Sequence, residues 1–384
     1  MSIADLFFSV FWTLLLSGSL YHVYALVCVL EFFRTREQDS MPVYLPPVSV
    51  LKPMKGMDPE FRDNLETFIA QDHPEYELLL GFLEQDDGAA EQVRKLIRPD
   101  IEHRVRVIVS SDDVGSNRKV SNLQGLVRHA RYPLLVLSDS DIRVERDYLR
   151  KIVREFQSAP KAGMVTNLYK ISAPRSMGAA FESLTFALDV IPSVLMARRL
   201  EGVTFGLGAS MLISKKGLVD IGGMRAIADY LADDYQLGNR LWKKGYSVVL
   251  SRTVLESVAG NMTVAEYIAH QVRWGRTYRT SRPKGFVGYG ITHILPLALV
   301  LLVLQGPALW TLTATGLVLF LRYAQAAVIY KKVIRSRQWL KWLPLLPVKD
   351  ILSLAFWAWS FLGSTVRWRG RTYRILRGGK MEEA

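Results

Sequence analysis

Residues 6–30 form an apolar run, polar only at scattered Ser and Thr and at His22, and about 20 such residues suffice to cross a bilayer. A second apolar region begins near Tyr289. Within it, residues 291–304 and 308–321, extending toward Tyr330, predict a helical hairpin broken at Gln305-Gly306-Pro307. The 49% hydrophobic content exceeds what a soluble domain with 22% charged residues needs, and the excess sits at the two ends. A chain so divided is expected to be a water-facing block held between membrane segments.

The first run differs from a cleaved leader. No Lys or Arg precedes it, Asp5 does, and Arg34 and Arg36 follow it, with no small-residue cleavage site. It therefore reads as an anchor with its N-terminus outside and the next domain in the cytosol. Pro344, Pro347, Lys349 and Asp350 interrupt residues 339–366. If that stretch crossed, the tail bearing Arg367, Arg369, Arg371, Arg374 and Arg377 would lie outside, against the positive-inside tendency. A re-entrant or interfacial last segment is expected, with Lys349 and Asp350 shielded by protein. The net charge of +13 is concentrated beside the apolar segments, including Lys331, Lys332, Arg335 and Arg337. That placement suits anionic lipid, and no nucleic-acid motif accompanies it, so nucleic acid is not an expected partner. The one cysteine, Cys28, lies in the first run and excludes an intrachain disulfide.

Between the ends, Pro42, Pro46 and Pro47 mark a linker, after which the pattern alternates. Residues 48–52, 77–83, 104–109 and 134–137 read as strands, and residues 61–71, 92–98 and 121–130 as helices. Such alternation predicts an α/β fold with a mainly parallel sheet. Ligands of such sheets bind beyond the carboxyl ends of the strands, where Asp86-Asp87 and Asp139-Ser140-Asp141 fall.

Two carboxylates one residue apart can share a turn, one reaching a divalent metal (Mg²⁺ or Mn²⁺), the other a ribose hydroxyl or metal-bound water. Asp139 and Asp141 are the candidate ligands, the bland alternative being a solvated acidic turn. Asp86 or Asp87 is placed to contact a nucleotide base or ribose, with Asp113 less favoured. Lys119, in Asn117-Arg-Lys-Val-Ser-Asn122, offers a cation at a helix start that suits a diphosphate, unless Ser121 or Asn122 merely caps that helix. Asp233-Asp234 opens another helix. Asp234 is the candidate general base and Asp233 the weaker one, although acidic residues cap helices by default. The preceding Phe205-Gly-Leu-Gly-Ala-Ser-Met211 either lets backbone approach a ligand or is a packed glycine turn. In His270-Gln-Val-Arg273-Trp274, Arg273 could hold a departing diphosphate and Trp274 could stack on a ligand, the alternative being an interfacial aromatic belt. Residues 177–196 read as an interface-like stretch that admits lipid, or as a packing helix.

Together these motifs resemble the ceramide glucosyltransferase-like family of membrane glycosyltransferases. That family carries an early Asp, a D-x-D-like site, a later Asp before Tyr, and (Q/R)-x-x-R-W. Ser49-Val-Leu-Lys-Pro-Met-Lys-Gly56, Asn64-Leu-Glu-Thr-Phe68 and Ile142-Arg-Val144 add to the likeness, which covers residues 45–280. His270 departs from it, standing where the family has Gln or Arg. The resemblance implies a GT-A domain over residues 41–265, after an anchor and linker at 1–40 and before an interfacial helix at 266–288 and a membrane region at 289–384. It implies a UDP-sugar donor bound by Asp86, Asp87, Asp139, Arg273 and Trp274, to which the helix-start lysine Lys119 is added. It further implies a divalent cation, inversion at the anomeric carbon and a lipid acceptor, glucose or N-acetylglucosamine being the sugar. The length and compact C-terminus resemble the hopanoid branch, which glycosylates bacteriohopanetetrol, more than the animal ceramide enzymes. The expected setting is multi-pass in a bacterial inner membrane, with the catalytic domain cytosolic. Two rivals remain. A processive polysaccharide synthase needs more membrane helices for its channel, and a silent nucleotide-binding scaffold would leave the acidic residues without a task.

A tag at the C-terminus is expected to be reachable by protease only from the cytosolic face of sealed vesicles; access only from outside would overturn this topology.

Overall fold

The computed structural model describes residues 3–34, 44–56, 60–83, 88–172, 174–336, 338–368 and 370–384. The chain divides into two compact units. One comprises Gln38–Ser172, Val203–Gly260 and Arg371–Ala384, the other Met1–Glu37, Ala173–Gly202 and Asn261–Gly370.

The first unit is built on an eight-stranded sheet: β1 (Val48–Pro53), β2 (Tyr76–Leu83), β3 (Val105–Ser110), β4 (Leu134–Ser138), β5 (Ile142–Arg143), β6 (Ala162–Ile171), β7 (Ser210–Ser214) and β8 (Ser247–Ser257). Their order is β3-β2-β1-β4-β7-β6-β8-β5. β1, β2, β3 and β4 run parallel, as alternating strands and helices require. β7 lies antiparallel between β4 and β6, and β5 antiparallel to β8, so the sheet is mixed. β1, β2 and β4 are mostly apolar and buried throughout, because helices cover both faces. Val50, Leu78, Leu80 and Val136 pack on one face with Phe61, Phe68, Leu149 and Ile152. Leu51, Leu79, Leu135 and Leu137 pack on the other with Leu123, Leu126, Leu237 and Leu241.

The second unit is mainly helical. Among the described residues, three stretches are long and apolar enough to cross a membrane: Phe8–Arg34, Met177–Glu201 and Leu309–Ile334. A bent pair, Pro283–Thr292 with Ile294–Gln305, could make a fourth. Met177–Glu201 contains a π-helical turn, Phe186–Val190, where Asp189 sits. Four charges meet there. Lys349 Nζ lies 2.8 Å from both Asp189 oxygens and 2.6 Å from Asp350, and Arg322 donates to Asp350 at 2.7 and 2.8 Å. Arg322 also reaches Asp189 at 3.2 Å. Lys349, Arg322 and Asp350 are almost completely buried. Two cations against two carboxylates leave the cluster neutral, which makes it tolerable in apolar surroundings.

Removing one member strands its partners. Asp350→Ala is expected to cost about 3–5 kcal/mol, read as a lower midpoint of thermal unfolding in detergent. The double change Arg322→Met, Asp350→Leu should lose less, because no charge is left unpaired.

Candidate active site

Asp139 is held by its backbone before its carboxylate does anything. It follows β4, whose neighbours are β1 on one side and β7 on the other. From the β7 side, Ala209 O accepts from Asp139 N at 3.0 Å. From the β1 side, Lys52 Nζ donates to Asp139 O at 2.7 Å. Lys52 is 1% exposed, and its ammonium lies 3.9 Å over the Phe68 ring. A lysine so deep needs such compensation. Apart from its place in the Ser49–Gly56 motif, nothing in the sequence marks it out, since lysine on a strand ordinarily reaches solvent.

The second cation is Lys119, on the first turn of the helix Arg118–His129. That helix starts three residues before its expected position. Its N-cap is Asn117, whose Oδ1 accepts from Lys119 N and Val120 N at 3.0 and 3.2 Å. Ser121 and Asn122 have other partners. Ser121 Oγ accepts from Val114 N, and Asn122 Nδ2 donates to Met54 O and Gly81 O, tying the helix to the ends of β1 and β2. The cap is itself anchored on residues 228–230, through Asn117 N to Ala228 O and Asn117 Nδ2 to Tyr230 O. Gly115 passes so close that a Cβ there would lie 2.5 Å from Asp229 Oδ1.

Lys119 Nζ approaches Asp139 Oδ1 at 2.6 Å and Asp233 Oδ2 at 3.9 Å. Asp233 and Asp234 open the helix Asp233–Lys243, whose N-terminal end favours negative charge. Tyr235 N donates to Asp234 Oδ1 at 2.7 Å, and Gly206 N donates to Asp234 O at 3.3 Å. Gly206 and Gly238 let residues 205–208 lie directly on this helix, since a Cβ on Gly238 would meet Gly206 N at 2.3 Å. The glycines are thus a packing device, and they bring Gly208 against the Asp234 carboxylate, 2.9 Å from where its Cβ would be.

Electrostatics follow from the crowding. Burial and the neighbouring charge of Asp233 push the Asp234 carboxyl up to about 6, although Lys119 and the Tyr235 N–H pull the other way. Burial alone would lower the Lys119 ammonium, but Asp139 and Asp233 outweigh it, so Lys119 is held firmly protonated. Asp139, Asp233 and Asp234 all act on this one ammonium, leaving an excess of negative charge.

Asp141 points to a different anchor. Its Oδ2 accepts from Ser257 Oγ at 2.8 Å, and its carbonyl accepts from Val258 N at 3.0 Å, fixing the turn to the end of β8. Among the described residues no group of three or more His, Cys, Asp or Glu is placed to hold a metal. Two carboxylates suffice for a hard cation that completes its shell with phosphate oxygens and water. The surplus negative charge around Lys119 also suits a divalent ion.

The structure thus brings Lys119, Asp139, Asp233 and Asp234 together in one unit. Asp86 and Asp87 lie outside the described residues. Arg273 and Trp274 belong to the helical unit, on the helix Val264–Ser281. There the Trp274 ring packs 4.4 Å from that of His270 and 5.9 Å from Phe186.

The model of glycosyl transferase family 21 matches residues 10–381. The chain belongs to glycosyl transferase family 21. Ceramide glucosyltransferase 1 of Caenorhabditis elegans is 32% identical over 63% of this family 21 chain and 53% of its own length. Poly-beta-1,6-N-acetyl-D-glucosamine synthase of Staphylococcus aureus is 22% identical over 63% and 56% respectively. The chain spans about half the length of the curated ceramide glucosyltransferases it matches first. Among solved structures, the mannosyltransferase PcManGT from Pyrobaculum calidifontis, in complex with GDP-Man and Mn2+, superposes with a TM-score of 0.49. Its identity is 16%, over 91% of this chain and 99% of that one.

Lys119→Met removes the cation that lowers the Asp234 carboxyl. It should move that group's titration upward from about 6, detectable as a shifted acid limb in any activity–pH profile.

Proposed function

We propose that this family 21 chain transfers a hexose, glucose or N-acetylglucosamine, from a UDP-sugar to the hydroxyl of a membrane lipid, with inversion at the anomeric carbon. The acceptor we favour is a hopanoid such as bacteriohopanetetrol, or ceramide. The observation that carries the reading is the carboxylate cluster around Lys119, with Asp234 raised to about 6 beside it. A lipid hydroxyl is a weak nucleophile. A carboxylate of ordinary acidity is a weak base, and one near 6 is better matched to neutral pH while still ionised there.

In this reading Asp234 takes the proton from the acceptor hydroxyl as its oxygen attacks the anomeric carbon. Lys119 offsets charge on the diphosphate as the bond to the sugar breaks. Asp139, held by Lys52 and Ala209 through its backbone, and Asp141, held by Ser257, would hold the divalent cation. When bound, that cation neutralises charge on the departing UDP. Asp86 or Asp87 is assigned to the nucleotide, Arg273 to the leaving diphosphate and Trp274 to stacking on sugar or acceptor, on the strength of their motifs. The three apolar stretches of spanning length support a multi-pass membrane protein. We assign the catalytic unit to the cytosolic side, in bacteria to the inner membrane, where nucleotide sugars are made.

A second reading, processive synthesis of an N-acetylglucosamine polymer, draws on the likeness to the poly-beta-1,6-N-acetyl-D-glucosamine synthase. The products separate the two. Membranes given several UDP-sugars with an extract of hopanoid and ceramide lipids should yield one glycolipid with a single added sugar. A ladder of rising mass would favour the polymer.

Asp234→Asn should keep UDP affinity and lower turnover about a hundredfold or more, the usual worth of a general base. Near-normal turnover would remove Asp234 from that role. Because the base must be ionised, wild-type turnover should fall as pH drops through about 6 and level off above it. A rate independent of pH between 5 and 7, roughly the window one unit either side, would contradict the assignment.

A further inference from the structure

The helix Val264–Ser281 carries His270, Gln271, Arg273 and Trp274. Two consecutive residues of this motif reach one carboxylate on the helix Met177–Thr185. Gln271 Nε2 donates to Glu182 Oε2 at 2.8 Å, and His270 Nδ1 lies 2.8 Å from Glu182 Oε1. The second contact is an ion-pair approach when the ring is protonated, and it is poorly aligned for a hydrogen bond. Glu182 is 2% exposed. A carboxylate buried beside Phe181 and Tyr267 is costly unless its oxygens are engaged.

Successive residues on a helix point about 100° apart. A single contact would let the helix roll about it. Two contacts from adjacent residues, one to each oxygen of a fixed carboxylate, set both position and rotation. Neighbouring contacts agree with this. Tyr267 OH lies 2.8 Å from Thr185 Oγ1, the Tyr267 ring stacks on Phe181 at 5.5 Å, and Trp274 meets Phe186 at 5.9 Å. Residues 267, 270, 271 and 274 thus share one contact face toward residues 181–186, and the direction of Arg273 follows from it.

We infer that Glu182 is a positioning residue for Arg273, acting as a two-point clamp on the helix that bears it. The first position of the motif, here His270, belongs to that clamp. Any side chain there that brings a polar N–H edge against Glu182 completes it, which gives the histidine a physical reason. The inference rests on the sugar-transfer reading for what Arg273 does, though not for the clamp itself.

The test uses the full-length protein in detergent or nanodiscs, with kcat and KM for the UDP-sugar measured in Glu182→Ala, Arg273→Ala and the double variant. Misdirecting a catalytic group is expected to lower kcat about tenfold or more in Glu182→Ala. On the Arg273→Ala background the same change should cost no more than about twofold, because residues acting as a unit are not additive. His270→Gln should stay close to wild type, and His270→Leu, at a partly exposed position that need not disturb folding, should fall with Glu182→Ala. Losses that simply multiply, or equal activity of His270→Gln and His270→Leu, would overturn the clamp. If the wild-type protein transfers no sugar, the transfer reading fails by itself, and amide hydrogen exchange over residues 264–281 decides the clamp. Faster exchange in Glu182→Ala supports it, and unchanged exchange overturns it.

Discussion

Lys119 is the point on which the sheet-bearing unit depends. Its ammonium is 2.6 Å from Asp139 and 3.9 Å from Asp233, with Asp234 the next residue on the same helix. Carboxylates gathered this closely repel one another, and each loses hydration as the site is enclosed. Two buried cations, Lys119 at the carboxylates and Lys52 at the Asp139 carbonyl, restrain the repulsion without cancelling it. Burial, together with the neighbouring charge of Asp233, raises Asp234, and the residue of negative charge suits a divalent ion. The local fold serves this arrangement. Asn117 caps the helix that presents Lys119, Lys52 and Ala209 grip the Asp139 backbone, and Gly206 and Gly238 admit a loop against the Asp233–Lys243 helix.

The helical unit handles charge by the opposite rule. Arg322, Lys349, Asp189 and Asp350 sum to zero and satisfy each other within hydrogen-bonding distance. In apolar surroundings an unbalanced charge would be expelled or neutralised. The site around Lys119, by contrast, keeps an imbalance, which is useful only where a charged ligand arrives to correct it. Asp189 lies on a π-helical turn, where the extra residue shifts the helix face so that one carboxylate reaches cations from two other helices.

Much of this was legible in the sequence. β1, β2 and β4 announced themselves because strands buried on both faces are short apolar runs, and the spanning lengths of the terminal segments were equally plain. The turn Asp139-Ser140-Asp141 fell where the alternation placed it, between β4 and β5. What could not be read was pairing. The strand readings stop at residue 137, and nothing local in Ser210–Ser214 says that it forms a strand antiparallel between β4 and β6. The start of the Lys119 helix was set three residues late because Ser121 and Asn122 are also good caps. The choice of Asn117 depends on contacts from residues 228–230, more than a hundred positions away. Lys52 and Glu182 escaped notice for one reason: their partners, Asp139 O and the His270-Gln271 pair, are close only after folding.

The central claim is that the carboxylates around Lys119 are an incomplete electrostatic site, finished by a divalent cation together with a nucleoside diphosphate. Calorimetric titration of the purified protein with UDP, with and without Mn²⁺ or Mg²⁺, addresses it directly. Affinity should rise about tenfold or more when the cation is present, and EDTA should abolish the gain. Equal affinity in both conditions would contradict the account.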